Sequence, residues 1–213
     1  TNDERWFLFS EIKNEHGEVL IQTKQVTEQK VLEQKLLESR DNLRQLALTD
    51  ELTGVANRRC FVESVEAELH RCRRHNYQVA YMILDLDHFK GINDSFGHQA
   101  GDLVLQHVAK LVKKMLRDYD IFGRIGGEEF AVFLGQTQME EVLIVAERIR
   151  EAIADNPMCH KGMCIMLTTS IGITLCNSAE HAYLDLYSQA DQALYQAKAN
   201  GRNLCQFYPG HEI

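Results

Sequence analysis

A pair of glycines followed by a pair of glutamates constrains this chain more than any other feature. Residues 124–130 read Arg-Ile-Gly-Gly-Glu-Glu-Phe, and apolar residues flank them on both sides. Two short apolar runs separated by Gly-Gly predict a β-hairpin whose turn uses the positive φ angles that glycine adopts without steric cost. Two acids, Glu128 and Glu129, directly follow the glycines of the turn, which have no side chains. They indicate a ligand close to the backbone beside a metal, with an ordinary solvated turn as the alternative.

Composition narrows the functional classes. The 213 residues, 45% hydrophobic and 25% charged, allow one domain of ordinary size plus an appendage. The formal charge of −8 argues against a nucleic-acid polymer as partner, because polymer binding needs a basic face, but not against a nucleotide. No apolar run approaches the length of about 18 residues that a membrane span needs, so we expect no membrane contact within this fragment. The six cysteines contain no C-x-x-C pair, which predicts reduced, buried thiols rather than a zinc site or a disulfide framework.

The first 26 residues have the character of a partial domain. Residues 5–9 and 19–23 are strand-like, and residues 14–17 separate them as a turn. An isolated hairpin is marginal in water, so these strands are expected to belong to a larger sheet. They resemble the last two strands of a PAS sensor domain, and residues 25–30 are similar to the usual PAS exit.

Residues 27–48 predict a helix. Thr27 is a suitable N-cap, and leucines follow at alternating spacings of four and three, at Leu32, Leu36, Leu43 and Leu46. Such a seam is typical of a short parallel coiled coil and predicts a homodimer through this helix. A helix packed on its own domain is the alternative.

The remaining chain alternates helices and strands. A helix from about residue 57 to residue 75 precedes an unbroken apolar strand at residues 79–84. Further helices are predicted from Gly101, after the central hairpin, and over residues 183–200, with strands around residues 163–175 and 204–208. This order predicts an α/β (α+β) fold in which helices flank one central sheet.

The apolar strand ends in two acids, Asp85 and Asp87. Residues two apart on a strand project to the same face, and an unpaired carboxylate at the end of a buried strand costs much free energy. Hard cations such as Mg²⁺ take oxygen ligands shared between carboxylates and phosphates. If the strand and the hairpin are neighbours, Asp85 and Glu128 meet and can hold a metal against a triphosphate.

Five motifs in order resemble the GGDEF family of diguanylate cyclases, in its GGEEF form. They cover residues 48–208 and lie at residues 52–59, 85–94, 96–102, 126–130 and 191–203. The resemblance implies a five-stranded sheet flanked by helices, related to the polymerase palm and the nucleotidyl-cyclase core. It divides the chain into PAS-like strands at residues 1–26, a coiled-coil helix at residues 27–48 and a cyclase domain at residues 49–213.

The resemblance also assigns a metal site. Asp85, the backbone carbonyl of Leu86 and Glu128 are implied ligands of Mg²⁺ or Mn²⁺, with two ions per half-site. Glu129 is implied either as a ligand of the second ion or as the base for the ribose 3′-hydroxyl. Lys90 is implied to add positive charge at the phosphate.

Substrate contacts are implied along the same motifs. Asn93 and Asp102 would read guanine, whose N1–H and N2 donors suit an acceptor-only carboxylate. The remaining implied contacts are the backbone amides of His88 and Phe89, the glycines Gly126 and Gly127 that admit the nucleotide, His98 beside it, and Lys198 and Arg202 on the terminal phosphates. Lys198 and Arg202 share a face only if their helix continues, whereas Gly201 favours a helix end. A solvated basic turn, and a local turn role for His98, are the alternatives.

A second site is implied upstream, in a pattern that five residues separate from the glycines. Arg117 and Asp120 form an R-x-x-D pattern at the position of the family's product-inhibition site, with Arg148 as a further ligand. Arg can donate to guanine O6 and N7 while Asp accepts from N1 and N2. A surface ion pair is the alternative.

The implied activity is the condensation of two GTP into cyclic di-GMP and two pyrophosphates by a dimer in the bacterial cytoplasm, with cyclic di-GMP as product and inhibitor. A non-catalytic module that only binds cyclic di-GMP is the other reading of the same motifs.

Overall fold

In the computed structural model, which describes residues 6–13, 19–25, 27–160, 162–177 and 182–209, the first two strands pair into a hairpin. Strands β1 (Phe7–Lys13) and β2 (Val19–Gln25) are antiparallel. They belong to the first of two compact units, residues 1–47 and 48–213. The predicted turn at residues 14–17 lies outside the described residues.

Helix α1 follows over Thr27–Leu48. The Thr27 hydroxyl oxygen accepts a hydrogen bond from the backbone N–H of Trp6 at 2.9 Å, which ties the start of the helix to the start of the hairpin. Leu32 and Leu36 of the predicted seam are each 69% exposed. The side chains of Leu43 and Leu46 lie outside the described residues.

The second unit is built on a mixed sheet of six strands in the order β10-β9-β4-β6-β5-β3. Strands β9, β4, β6 and β5 pair with one another in antiparallel fashion, whereas β10 and β3 add to the two edges in parallel. The sixth strand, where five were expected, is the two-residue β3. The strands are β3 (Ala56–Asn57), β4 (Gln78–Leu86), β5 (Ile121–Arg124), β6 (Glu129–Gly135), β9 (Thr169–Asn177) and β10 (Cys205–Phe207).

Among the described residues, five helices cover this sheet, and β7 (Met158–His160) and β8 (Met163–Ile165) form a separate small hairpin. The helices are α2 (Arg58–His75), α3 (Phe89–Phe96), α4 (His98–Lys113), α5 (Met139–Asp155) and α6 (Tyr183–Ala199). Helix α3 was not predicted, and α4 begins at His98 rather than Gly101, because Gly97 at φ 83° separates two helices that follow each other directly.

Alternation along β4 sorts its side chains between two cores. Ala80, Met82 and Leu84 pack with α4 and α5, whereas Tyr81 and Ile83 pack with α2 and α6. The mixed α/β architecture with helices on both faces of the sheet confirms the predicted fold class. The alternation also places the next odd residue, Asp85, on the side of α6.

The cysteines differ from expectation at one place. Cys159 and Cys164 form a disulfide across the β7–β8 hairpin, because they are directly opposed in its register. The expectation that every thiol is reduced is therefore wrong for this pair. Cys72 and Cys176 are buried, as expected.

The close packing of α6 on β9 depends on Gly172. A Cβ atom at this position would collide with the backbone of Ala190 and Leu194. We expect Gly172→Ala to lower the free energy of unfolding by about 3 kcal/mol, because backbone atoms cannot yield as a flexible side chain can. Urea denaturation measures this.

Gly91→Ala is the matched control. Gly91 lies inside α3, and a Cβ there meets no atom within 4 Å, so this variant should be as stable as the wild type or slightly more so. Equal stability of the Gly172→Ala protein and the wild type would contradict the packing argument.

Candidate functional site

The candidate site lies where β4 and β6 end side by side. Asp85 stands opposite Glu129 in their antiparallel register, and both belong to the face that packs against α6. Lys198, in the last turn of α6, donates to Asp85 Oδ2 at 2.8 Å. The carboxylate of Asp85 is buried, so this ion pair offsets part of its desolvation cost.

The two facing acids perturb each other. Burial raises the pKa of Asp85, and the nearby Glu128 and Asp87 raise it further while Lys198 lowers it. Burial likewise raises the pKa of Glu129, with Asp85 as the next contribution. The site therefore holds more negative charge than one lysine balances, which is the environment that a divalent cation stabilises.

Glu128 does not occupy the position expected for it. The residue opposite Asp85 is Glu129, because β6 begins there, and Glu128 lies one residue earlier in the turn. Its backbone carbonyl accepts from the N–H of Leu86 at 3.4 Å. This contact keeps Glu128 next to the end of β4, and its charge still reaches Asp85.

The glycines of the turn act differently from prediction. Neither Gly126 nor Gly127 has a positive φ angle, so the expected reason for glycine is wrong. The N–H groups of Ile125 and Gly126 both donate to the carbonyl of Glu129, which closes the turn. A Cβ atom on Gly126 would collide with the Glu129 carboxylate, whereas one on Gly127 would meet nothing within 4 Å. Glycine at 126 thus lets the Glu129 side chain fold back over the turn.

An arginine that was not singled out as a site residue holds this turn. Arg124 donates through Nε and Nη2 to the carbonyl of Gly127, at 3.0 and 2.7 Å. Its Nη1 also donates to both carboxylate oxygens of Asp50, at 3.1 and 3.2 Å. Asp50 in turn accepts from the N–H and the hydroxyl of Thr53. Arg124 lies in the Gly-Gly stretch of residues 124–130, and Asp50 lies two residues before the motif at residues 52–59, yet only the folded chain shows that they touch.

Helix α3 presents its N-terminus just beyond the end of β4. His88, at φ 57°, precedes the helix, Phe89 begins it with a buried side chain, and Lys90 is exposed. The first amides of a helix lack partners within it, so those around His88 and Phe89 suit an anionic group.

The predicted base-reading residues are brought together by a helix crossing. Asn93 on α3 lies against Gly101 on α4 so closely that a Cβ there would overlap its side-chain oxygen. Asp102, the next residue, is exposed. His98 starts α4 and is exposed as well.

Lys198 and Arg202 do not share a helical face. Helix α6 ends at Ala199, and Gly201 at φ 116° and Arg202 at φ 65° continue in left-handed conformations. Gly201 therefore marks the end of the helix, as its identity favoured. Arg202 is exposed, whereas Lys198 is half-buried against Asp85.

Asp87 belongs to a different environment from Asp85. Its carboxylate is buried and accepts hydrogen bonds from Ser170 Oγ at 2.7 Å, from Thr168 Oγ1 at 2.8 Å and from the N–H of Asn203 at 3.0 Å. Ser170, which donates to Asp87, stands opposite Asp85 in the register of β4 and β9, so the two acids keep to one face of the sheet, as expected, but have different partners.

The residues of the predicted second site also converge. Arg117, Asp120 and Arg148 line one cavity of about 290 Å³. The carboxylate of Asp120 accepts from the backbone N–H of Arg117 at 2.8 Å, and burial raises the pKa of Asp120. The guanidinium of Arg117 lies 5.7 Å from the ring centroid of the exposed Tyr119, and Arg148 donates to the carbonyl of Met115.

Two neighbours of Glu129 were missed. Asp191 adds to the rise in the pKa of Glu129, and burial together with Glu129 and Asp191 raises the pKa of Tyr187. Both residues lie on α6, and Asp191 opens the closing motif, which was the signal available in the sequence.

The described residues contain no group of three or more His, Cys, Asp or Glu side chains placed to hold a metal. At the acidic cluster, the ammonium group of Lys198 contacts Asp85. None of the helices in the part of the chain that the structure describes combines the length and apolarity needed to cross a lipid bilayer.

Comparison with known proteins gives consistent matches. The family model described as "Diguanylate cyclase, GGDEF domain" matches residues 47–204. A diguanylate cyclase of Vibrio cholerae is 40% identical over 173 residues, which cover 81% of this chain and 53% of that protein. The cyclic di-GMP phosphodiesterase NbdA of Pseudomonas aeruginosa is also 40% identical, over 78% of this chain and 21% of its own length. The chain thus spans about half or less of the curated relatives it matches.

Among solved structures, the coiled coil and GGDEF domain of DgcB from Caulobacter crescentus in complex with c-di-GMP superimposes with a TM-score of 0.80 at 27% identity. The match covers 85% of this chain and 96% of that one.

The acidic cluster should cost stability when no cation is present. A carboxyl whose folded pKa lies above its ordinary value, 4.5 for glutamate, destabilises the fold as pH rises through the folded pKa. We expect Glu129→Gln to raise the melting temperature at pH 7 in chelator by up to about 3 °C, since the group is partly solvated. The gain should shrink as pH falls and vanish well below 4.5, where glutamate is protonated in both the folded and the unfolded state.

Glu66→Gln, on an exposed position of α2, is the control because it removes the same charge away from the cluster. A gain for Glu129→Gln that persists unchanged on acidification would contradict this explanation. Differential scanning calorimetry across the pH range makes the measurement.

Proposed function

This chain belongs to the GGDEF domain family of diguanylate cyclases, and from that membership we propose that it condenses two GTP into cyclic di-GMP and two pyrophosphates. The observation that carries the proposal is the paired acids Asp85 and Glu129 beside Lys198 at the end of two adjacent strands. We assign the activity to residues 49–213 and place it in the bacterial cytoplasm.

The acids fit a divalent cation. The raised pKa values of Asp85 and Glu129 reflect crowded negative charge, and Glu128 and the end of β4 at Leu86 lie beside it. We assign Asp85, the carbonyl of Leu86, Glu128 and Glu129 to hold Mg²⁺ or Mn²⁺, two ions per half-site. Bound metal would neutralise charge on the triphosphate and acidify the attacking hydroxyl.

We assign recognition of the guanine base to Asn93 and Asp102. Asn93 lies against Gly101, the residue that precedes the exposed Asp102, and this supports the assignment. An ionised carboxylate only accepts hydrogen bonds, so it pairs with the N1–H and N2 donors of guanine, an edge that adenine lacks. We also assign His98, at the start of the same helix, to a position beside the base.

We assign binding of the triphosphate to backbone amides and cationic side chains around Asp85 and Glu129. We assign the backbone amides of His88 and Phe89, at the start of α3, to contact the triphosphate, and Lys90 to add positive charge. Lys198 and Arg202 hold the terminal phosphates from the end of α6. We assign Gly126 and Gly127 to admit the nucleotide; the open space beside Gly127 supports this, whereas the Glu129 carboxylate lies over Gly126.

Each half of the reaction forms one bond and breaks one. The 3′-hydroxyl oxygen of one GTP attacks the α-phosphorus of the other, the bond to the pyrophosphate oxygen breaks, and the hydroxyl proton leaves to a base. Glu129 is that base or a ligand of the second ion. Two such steps close the ring, so catalysis consists mainly of positioning and of charge neutralisation.

Since one domain holds one GTP, two domains must face each other. The exposed Leu32 and Leu36 support the proposal that α1 forms a parallel coiled coil with the helix of a second copy. The hairpin of β1 and β2 supports the proposal that a PAS-like sensor precedes α1. Such a sensor would regulate the rate of cyclic di-GMP synthesis by changing the register of the coiled coil.

Incubation of the purified protein with GTP and Mg²⁺ tests the proposal. We expect cyclic di-GMP and pyrophosphate in a ratio of one to two, and turnover per protomer that rises with protein concentration because each protomer supplies half a site. Asp85→Asn should lower the rate by at least about a hundredfold, as loss of transition-state charge stabilisation does. Chromatography and a pyrophosphate assay give the readout.

Turnover that does not depend on protein concentration would contradict the half-site arrangement. Absence of product together with binding of cyclic di-GMP would favour the second candidate function, a non-catalytic module that only binds cyclic di-GMP. The cavity lined by Arg117, Asp120 and Arg148 is the observation that favours this candidate.

In the cyclase, the same cavity supports feedback inhibition. We assign Arg117, Asp120 and Arg148 to bind cyclic di-GMP through the guanine edges that Arg and Asp recognise. The structural relative DgcB was solved with that molecule bound.

Arg117→Ala should raise the concentration of cyclic di-GMP needed for half-inhibition by at least about tenfold, since charge-assisted contacts are lost. The initial rate should stay near that of the wild type. Lys110→Ala, on the exposed side of α4, removes the same charge elsewhere and should leave inhibition unchanged. Inhibition that survives Arg117→Ala would rule out this site as the cause.

A further inference from the structure

Asp87 is a buried carboxylate that the proposed reaction does not use. Only 5% of its surface is exposed, and three donors reach it from two other parts of the chain. Ser170 and Thr168 donate from β9 and the residue before it, and the backbone N–H of Asn203 donates from the segment after α6. A buried acid with this many neutral donors joins elements rather than facing solvent.

The segment that Asp87 holds has an unusual backbone. Gly201, Arg202 and Asn203 follow one another at φ angles of 116°, 65° and 47°. L-residues rarely adopt left-handed conformations in succession, so surrounding contacts must maintain them. One such contact is the N–H of Arg202 donating to the carbonyl of Ala197 at 3.1 Å.

Arg150 supplies a further contact from the opposite side. Its Nη1 donates to the side-chain oxygen of Asn203 at 3.1 Å, while its Nε donates to Glu147 at 2.7 Å. The Arg150 side chain is 18% exposed, so the surrounding protein fixes its position. Asn203 is thus held by its backbone to Asp87 and by its side chain to α5.

Two cationic residues precede Asn203 in the sequence. Arg202 is its direct neighbour, and Lys198, four residues before Arg202, forms an ion pair with Asp85 at 2.8 Å. The end of β4 therefore holds both ends of the segment that carries the two cations, through acids two residues apart in the sequence.

We propose that Asp87, Asn203 and Arg150 are positioning residues that hold Arg202 and Lys198 where they can contact the β- and γ-phosphates of GTP. The inference rests on the proposed function, since it requires GTP as substrate. None of the three touches the nucleotide. They act by holding the left-handed segment in the one conformation that directs its cations at the triphosphate.

The test compares two nucleotides that share guanine but differ in their phosphates. Calorimetry with Mg²⁺ would measure the affinities of 3′-deoxy-GTP, which lacks the attacking hydroxyl, and of GMP, which lacks the terminal phosphates. Asp87→Asn and Asn203→Gly should each weaken 3′-deoxy-GTP binding by about tenfold and change GMP binding by less than about twofold. Asn203→Gly keeps a left-handed backbone accessible and removes only the amide.

Asn203→Asp is the conservative variant. Aspartate tolerates the left-handed region and keeps an acceptor for Arg150, so its triphosphate affinity should stay within about twofold of the wild type. In steady-state assays, Asn203→Gly should raise the KM for GTP more than it lowers kcat. Asn203 is exposed, so this pair of variants remains informative even if Asp87→Asn does not fold.

Equal weakening of both nucleotides would show a general structural role and overturn the proposal. Unchanged binding of 3′-deoxy-GTP by Asn203→Gly would overturn it as well, while leaving the proposed function intact. Failure of the wild-type protein to bind 3′-deoxy-GTP would instead reject the proposed function and this inference together.

Discussion

A strand that is paired on both edges and covered on both faces cannot end in acids unless the rest of the fold supplies partners for them. Strand β4 is such a strand, with β6 and β9 beside it and a helical layer on each face. Asp85 meets a lysine, and Asp87 meets two hydroxyls and an amide. These contacts hold the last turn of α6 and the segment after it against the end of β4, because the buried acids need polar partners.

The parts of this architecture that depend on local pattern could be read from the sequence. The apolar run before Asp85 predicted a central strand because burial on both faces removes alternation. Gly201 favoured a helix end because glycine reaches left-handed angles easily, and α6 stops two residues before it. The family motifs then connected residues far apart in the chain, which periodicity alone does not do.

What escaped prediction depends on register and tertiary contact. The pairing of Asp85 with Glu129 rather than Glu128 follows from where the turn closes, and a shift of one residue exchanges the faces of a strand. Gly126 is required by the side chain that folds over it rather than by its own φ angle. The Cys159–Cys164 pairing needs a hairpin register that the spacing of the two cysteines does not reveal.

The contact of Arg124 with Asp50 has a practical consequence for protein engineering. It joins the glutamate-bearing turn to a loop that begins immediately after the last residue of α1. A chimera that replaces residues 1–48 keeps both partners, whereas a junction placed after Asp50 deletes the carboxylate that Arg124 contacts. A fusion junction should therefore lie before Asp50, so that this ion pair is kept, rather than at the first strand of the sheet.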